Sequence, residues 1–180
     1  MIYQTVLIGI GGAGCKIVHG MQAENKKFYI DTDPKVVEEY SGIRIGTNTC
    51  SQYSACGDIN LGELSMREDK AKVIESLKEY SDFIIVAPLG GGTSCGATRR
   101  LVEYLLDENK KVRILSSMPF DFEGQLRLRK AANTLCYLQE LCEVKALKTV
   151  DYRAIENIDL GEVFDLQDKV YHEAIVKYCV

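Results

Sequence analysis

The chain has 180 residues, enough for one domain with a hydrophobic core. A hydrophobic fraction of 46% and a charged fraction of 27% are typical of a soluble globular protein. The formal net charge is −4 and basic residues do not cluster, which argues against binding to nucleic acid or to an anionic membrane. We find no signal peptide and no apolar run long enough to span a bilayer, so we expect a cytoplasmic protein.

The cysteines indicate neither a disulfide framework nor a metal site. There are seven, an odd number, without a C-x-x-C spacing and with only two histidines in the chain. Because no secretory signal accompanies them, we expect reduced, mostly buried thiols. Cys15 and Cys95 lie inside glycine-rich segments at predicted helix starts, where the pKa of a thiol can fall. We interpret both as small residues rather than as reactive thiols.

Short apolar runs alternate along the chain with segments of helical periodicity. This alternation predicts an α/β fold, a doubly wound and mainly parallel sheet of about six strands with helices on both faces. No repeat or linker interrupts it, so we expect a single domain over residues 1–180. In chain order we expect a strand at 5–10, a helix at 13–21, a strand at 28–30, a strand end or helix start at Pro34, loops at 41–64 around a short strand at 43–45, a helix at 65–80, a strand at 83–87, a helix at 98–107, a strand at 112–116, a helix at 124–141, a strand at 144–150 and a helix at 166–178.

The first glycine-rich segment, GIGGAG from Gly9 to Gly14, follows an apolar strand and opens a helix. Its G-x-G-x-x-G spacing is that of dinucleotide-binding folds, in which glycines let backbone N–H groups approach a phosphate at a helix N-terminus. Asp31 and Asp33 follow about twenty residues later, where an acid that binds ribose is expected. The alternative is a tight strand-to-helix turn without a ligand.

A second glycine-rich segment, LGGGTSCG from Leu89, also follows a buried strand and opens a helix. The hydroxyls of Thr93 and Ser94 stand beside backbone donors, an arrangement that suits phosphate oxygens. Two such loops on neighbouring strands predict a polyphosphate held from two sides, whereas a dinucleotide fold does not need the second loop. The alternative is a flexible loop.

A third motif, PFDFEGQLRLRKA from Pro119, completes a set that resembles the tubulin/FtsZ GTPase family, FtsZ more than tubulin. GIGGAG is similar to the family's first phosphate loop, IDTD from Ile30 is similar to its second loop, and GGGTSCGA from Gly90 is similar to its signature GGGTGTGA. The resemblance implies a Rossmann-like GTPase domain that binds GTP or GDP. It also implies a connection with cytoskeletal filaments and cell division.

The resemblance implies a role for particular positions. The first loop would hold the α- and β-phosphates, residues 90–96 would wrap the β/γ end, and residues 55–58 would sense the γ-phosphate. Glu123 would bind the ribose hydroxyls and Arg127 the phosphate or ribose side. Phe164 would stack on guanine, and Asp168 would accept from guanine N1 and N2. The nucleotide-binding residues so implied are Gly11, Gly12, Ala13, Gly14, Cys15, Lys16, Asp33, Cys56, Gly57, Gly90, Gly91, Gly92, Thr93, Ser94, Cys95, Gly96, Pro119, Glu123, Arg127, Phe164 and Asp168, with no catalytic residue or metal ligand among them.

These side chains also have ordinary interpretations. Phe164 could belong to the core, and Asp168 could be a surface charge. Glu123 and Arg127 stand four residues apart on a predicted helix, so an intrahelical ion pair alone would explain them.

The sequence departs from the family pattern at three places. Lys16 stands where the family usually has an asparagine that contacts the base; lysine only donates, so it could reach guanine O6 or a phosphate. Ser94 and Cys95 replace Gly-Thr in the signature. Asp151 falls near the family's usual Asn-Asp base contact.

The resembled family continues beyond a central helix into an activation domain, and an acidic loop between them enters the nucleotide site of the next subunit. The chain stops at Val180, inside that helix, so we expect a natural short relative or an excised domain. It would receive an acidic loop but could not donate one.

Three functional hypotheses follow. The first is a GTP-binding domain whose hydrolysis is weak or absent without the acidic loop of a partner, either a full-length FtsZ-like subunit or a second copy. The second is a non-enzymatic, nucleotide-dependent module that docks on or caps FtsZ-like filaments. The third is an NAD-binding Rossmann protein, against which the second glycine loop argues. A requirement for magnesium stays open.

Overall fold

The strands form one parallel sheet in the computed structural model, which describes residues 5–179. They lie in the order β3-β2-β1-β4-β5-β6, and every neighbouring pair is parallel. The predicted doubly wound parallel fold is confirmed. The strands are β1 Val6–Ile10, β2 Lys27–Asp31, β3 Ile43–Arg44, β4 Asp82–Val86, β5 Lys111–Ser117 and β6 Glu143–Leu147.

Helices follow most of the strands and cover both faces of the sheet. Short 3-10 turns at Asp121–Glu123 and Tyr152–Ala154 precede the last two long helices. Within residues 5–179, no helix combines the length and the apolar character that a membrane span requires. The α-helices are α1 Gly11–Gly20, α2 Pro34–Tyr40, α3 Ile59–Glu68, α4 Lys70–Leu77, α5 Gly92–Asp107, α6 Gln125–Leu141 and α7 Leu160–Cys179.

Two hydrophobic cores lie on opposite faces of the sheet. All five residues of β1 are buried, as expected for a central strand covered on both sides. On one face, Ile8 and Ile85 belong to the core that α3, α4, α5 and α6 cover. On the other face, Leu7 and Ile84 belong to the core that α1 and α7 cover, with Tyr171 as a fully buried side chain.

The sheet has a switch point between β1 and β4. The chain leaves β1 into α1 on one face, and it leaves β4 toward α5 on the other face. In open α/β sheets the crevice at the carboxyl ends of such strands is the usual ligand site. Both glycine-rich segments therefore lie side by side at this edge.

The prediction of one continuous helix at 65–80 is wrong, because α3 and α4 share this stretch and meet at Asp69. The Asp69 carboxylate accepts a hydrogen bond from the Gly46 N–H at 2.7 Å. Glu68 accepts from the N–H groups of Asn48 and Thr49, both at 2.8 Å. These contacts tie the helix junction to the preceding loop, a long-range effect that periodicity does not show.

Helix starts also differ from the prediction. α3 begins at Ile59, inside the stretch expected to be loops, because Asp58 caps it by accepting from the Asn60 N–H at 2.8 Å. α7 begins at Leu160 instead of 166, where Asp159 accepts from the Glu162 N–H at 2.9 Å.

The prediction that most of the thiols are buried is wrong. Among the seven free cysteines, three are buried, three are exposed and one is intermediate.

α3 and α5 cross at unusually close range. A Cβ added at Gly96 would clash with the Ile59 carbonyl oxygen and lie 2.6 Å from the Glu63 nitrogen. One added at Gly62 would collide with the Gly92 carbonyl. Glycine is therefore required here for backbone approach rather than for phosphate contact.

We expect Gly96→Ala to lower the free energy of unfolding by about 1–3 kcal/mol, because the new methyl group overpacks the crossing. Chemical denaturation measures this change. Gly20→Ala is the control, since its Cβ would make only an ordinary 3.4 Å contact with His172. Equal stability of both variants would show that the helices separate at little cost.

Candidate nucleotide site

A cleft of about 410 Å³ opens at the carboxyl edge of the sheet. It runs from the starts of α1 and α5, past the turn at residues 54–58, to α6 and α7. Fourteen of the predicted site residues line it: Gly11, Gly12, Ala13, Asp33, Cys56, Gly57, Gly91, Gly92, Thr93, Ser94, Pro119, Glu123, Arg127 and Phe164.

Both helices that begin at the cleft offer unpaired donors. The first N–H groups of an α-helix have no partner within the helix. Neither α1 nor α5 has a side-chain cap for them. The helix dipoles add partial positive charge at the same ends. This arrangement suits an anion placed between the two starts, as a polyphosphate would be.

The glycines of the two loops serve different purposes. Gly11 and Gly90 have positive φ values of +77° and +113°, which other residues adopt at a cost. Gly12 and Gly91 have no such constraint, and an added Cβ at Gly12 would lie 3.6 Å from the Val36 side chain. A side chain at Gly12 or Gly91 would therefore fit the fold while occupying the cleft.

A buried hydroxyl joins three loops beneath the cleft. The Thr32 hydroxyl lies 2.7 Å from the Thr93 hydroxyl and accepts from the Ala55 N–H at 2.9 Å. All three residues are buried. Thr32 thus fixes the second glycine loop and the 54–58 turn relative to the end of β2.

Two acids from the end of β2 line the cleft, and both are engaged. Asp31 accepts from the Thr32 N–H at 2.6 Å and from the Asp33 N–H at 3.1 Å. Burial raises the pKa of Asp31 above its usual value. Asp33 caps α2 by accepting from the Lys35 N–H at 2.9 Å. These hydrogen bonds order the loop that faces the first glycine segment.

Glu123 and Arg127 form the ion pair that their spacing allows, at 2.5 Å. Glu123 also accepts from the Phe120 N–H at 2.9 Å, which fixes its carboxylate beside the cleft. The Arg127 side chain stays half exposed. Both side chains line the cleft, so the pair is part of the candidate site as well as an ion pair four residues apart.

Phe164 belongs to an aromatic cluster at the rim. It is 39% exposed and meets Phe120 and Phe122 edge to face, with ring centroids 5.6 and 6.2 Å apart. Phe120 and Phe122 are stacked on each other. The partly exposed Phe164 therefore offers a rigid apolar wall for a planar group.

Two residues of α7 that line the cleft were not predicted from the sequence. Gln167 accepts from the Val150 N–H at 2.8 Å, and the Tyr171 hydroxyl donates to the Ser117 hydroxyl at 2.9 Å. Together they hold α7 against the loops after β5 and β6. Their spacing of three and seven residues from Phe164 is the signal that was available, because it places them on one face of the helix.

Lys16 and Asp168 lie outside the cleft lining and bind each other. The Lys16 ammonium group is 3.0 Å from Asp168 and 3.0 Å from Asp165. The hydrogen bonds that the Lys16 ammonium group donates to Asp165, the larger effect, and to Asp168 raise the pKa of Lys16. Their chain neighbours Ile17 and Gln167 do line the cleft, so the ion pair stands next to its α7 end.

The remaining predicted residues have structural surroundings. Burial raises the pKa of the Cys15 thiol to about 12, so this thiol is not activated by the helix start. Cys95 accepts from the Gly90 N–H at 3.1 Å. A Cβ at Gly14 would collide with the Val86 carbonyl. These three, Gly90 and Gly96 lie outside the lining. The exposed Asp151 only precedes a 3-10 turn.

The comparison with protein families decides which of these interpretations applies. The model described as "Tubulin/FtsZ family, GTPase domain" matches residues 4–158. The chain belongs to this family. Members of the family bind GTP and GDP.

Similar curated proteins include division proteins. The chain is 31% identical over 130 residues to the cell division protein FtsZ of Buchnera aphidicola, covering 68% of this chain and 34% of that protein. It is 24% identical over 182 residues to the mitochondrial division protein fszB of Dictyostelium discoideum, covering 94% of this chain and 50% of that protein.

Solved structures show the same fold. An FtsZ dimer from M. jannaschii superposes with a TM-score of 0.87 at 21% identity, over 97% of this chain and 54% of that one. A GTPγS-bound protofilament of CetZ2 from Haloferax volcanii superposes with a TM-score of 0.86 at 23% identity, over 98% of this chain and 58% of that one. The chain thus spans about half the length of several of its relatives.

We expect Gly12→Val and Gly91→Val each to abolish nucleotide binding in a folded protein, because the side chain takes the volume that a phosphate needs. Titration with a fluorescent GDP analogue measures binding, and circular dichroism confirms folding. Gly20→Val is the control, since Gly20 lies outside the cleft lining and a Cβ there would make only an ordinary 3.4 Å contact with His172. Undiminished affinity in folded variants would show that the glycine loops do not hold phosphate.

Proposed function

We propose that residues 1–180 act as a single guanine-nucleotide-binding domain that hydrolyses GTP only slowly by itself. The observation that carries the proposal is one cleft flanked by two uncapped helix starts, with an aromatic wall at its opposite end. All six strands belong to one sheet, which supports a single domain.

The two faces of the sheet suggest how the ligand lies. Phe164 and Tyr171 belong to α7 on one face, whereas the 54–58 turn and α5 lie with α3 and α6 on the other. The base would stack on Phe164, and the phosphates would pass between the two helix starts. Glu123 and Arg127 lie along this path, where a carboxylate can accept from ribose hydroxyls and a guanidinium can bind phosphate.

The cleft also suits a magnesium ion bound together with the phosphates. Asp31 and Asp33 bring carboxylate oxygens to the lining, and Thr93 brings a hydroxyl. Mg²⁺ prefers such oxygen ligands and keeps phosphate oxygens and water in its shell. The ion would neutralise part of the charge that the two acids place near the phosphates.

Guanine is the base that the Lys16–Asp168 pair fits. Asp168 can only accept, and guanine presents two N–H donors on one edge; the Lys16 ammonium group can donate to the neighbouring O6. Adenine presents an acceptor where guanine has the N1 donor. The pair therefore supports GTP and GDP over ATP.

We expect Asp168→Ala to weaken GTP binding by about 1–3 kcal/mol, the cost of an unmade charge-assisted hydrogen bond. ATP binding should stay unchanged. Asp165→Ala is the matched control, because it removes the other partner of Lys16 and leaves the Lys16–Asp168 pair. Calorimetric titration measures all three proteins. Wild-type GTP affinity in Asp168→Ala would exclude Asp168 as the base reader.

Slow hydrolysis is expected because every acid in the described lining is already engaged. Asp31 and Asp33 bind backbone N–H groups, and Glu123 binds Arg127 and the Phe120 N–H. Each is held by these contacts, and Asp31 and Asp33 would in addition bind the magnesium ion, so we expect none of them to orient an attacking water, on which phosphoryl transfer depends. A partner subunit of the same family would supply the missing acid, as the filament-forming homologues suggest.

We predict a turnover below about 10⁻² s⁻¹ for the 180-residue chain at low concentration, the range of GTPases that lack an assisting group. Phosphate release measured across protein concentrations tests this. Rates that rise more steeply than the protein concentration would reveal catalysis across a self-contact. Fast turnover proportional to concentration would contradict the proposal and place a water-orienting acid within this chain.

A further inference from the structure

The 54–58 turn has a charged anchor that the family motifs do not include. The Lys130 ammonium group, on α6, donates a hydrogen bond to the Gly57 carbonyl at 2.5 Å. The two residues are 73 positions apart. Gly57 and the neighbouring Cys56 line the cleft, so this contact connects α6 with the cleft wall.

The anchor fixes one peptide group of the turn completely. The peptide between Gly57 and Asp58 has its oxygen bound by Lys130 and its N–H bound to the Ala55 carbonyl at 2.8 Å. The preceding peptide is different: among residues 5–179, no acceptor binds the Gly57 N–H. A Cβ at Gly57 would meet nothing within 4 Å, so there is open space on the side-chain side of this residue, which lines the cleft.

The turn packs beside α5, which lies on the face of the sheet opposite to α7 and its Phe164. It packs on the start of α5, where a Cβ at Gly92 would lie 2.7 Å from the Asp58 nitrogen and 3.0 Å from the Ala55 side chain. α5 and α6 share one face of the sheet, and α7 with Phe164 covers the other. A nucleotide whose base contacts Phe164 would bring the end of its phosphate chain toward Gly57.

Positive charge is scarce at this end. The only cation in the described lining is Arg127, which is paired with Glu123. Lys130 follows three residues later on the same helix, so it adds a second cation on the same side. In a chain with a net charge of −4, such local cations must offset the charge of a triphosphate.

We propose that Lys130 is a positioning residue for the terminal phosphate, which lets the site distinguish a nucleoside triphosphate from a diphosphate. This inference rests on the proposed binding of guanine nucleotide. Lys130 holds the Gly57 carbonyl and offsets its negative end, which leaves the Gly57 N–H as the donor for the γ-phosphate. A diphosphate ends before the turn and does not use it.

The test compares GTPγS with GDP by calorimetric titration in wild type, Lys130→Met and Lys130→Arg. In Lys130→Met we expect at least a fivefold loss of GTPγS affinity and less than a twofold change for GDP. Arginine can still donate to the Gly57 carbonyl, so Lys130→Arg should stay within threefold of wild type for both ligands. Unchanged GDP affinity also demonstrates that the variants are folded.

Arg129→Met is the matched control, because it removes the same charge from the adjacent, exposed position of α6. It should change neither affinity by more than twofold. Equal losses of GTPγS and GDP affinity in Lys130→Met, or no loss of either, would overturn the inference while the proposed function stands. Absence of guanine-nucleotide binding by the wild-type protein would overturn both.

Discussion

The parallel pairing of β1 with β4 is the constraint on which the rest of this structure depends. Their register, Val6 opposite Phe83 through Gly9 opposite Val86, brings the two glycine segments to the same height at one edge of the sheet. Because the following helices leave toward opposite faces, their N-termini converge on one cleft without blocking each other. An anion there meets donors from both sides, which one loop alone could not provide.

The geometry of the cleft also requires backbone segments to pack very closely. Gly14 lies against the β4 backbone, and Gly62 and Gly96 let α3 and α5 cross. The same crossing holds the 54–58 turn against the start of α5, where the buried Thr32 hydroxyl links it to Thr93. Gly14 and Gly96, two of the glycines predicted as ligand contacts, therefore serve packing, and packing in turn fixes the geometry of the phosphate loops.

Local patterns predicted the order of strands and helices, the parallel sheet and the two glycine loops, because buried strands and glycine turns are specified by nearby residues. The family resemblance, not local pattern, supplied most of the other predicted residues that line the cleft, Glu123, Arg127 and Phe164 among them. They missed features that depend on distant contacts. The break at Asp69 arises from the loop that contains Gly46, and the Lys130 contact with Gly57 spans 73 residues. The Lys16–Asp168 pair joins the first and last helices, so neither sequence neighbourhood contains it.

The attachment of α7 shows why the base end and the phosphate end belong to one cooperative unit. α7 is held by Tyr171 in the core, by Gln167 on the Val150 N–H, and by His172 2.9 Å from the Ile17 carbonyl of α1. α1 begins at the first phosphate loop. A ligand that contacts both the start of α1 and Phe164 would bridge the helices that these polar contacts already join. Nucleotide binding should therefore stabilise the α1–α7 face by an amount that grows with the logarithm of the nucleotide concentration once this exceeds the Kd.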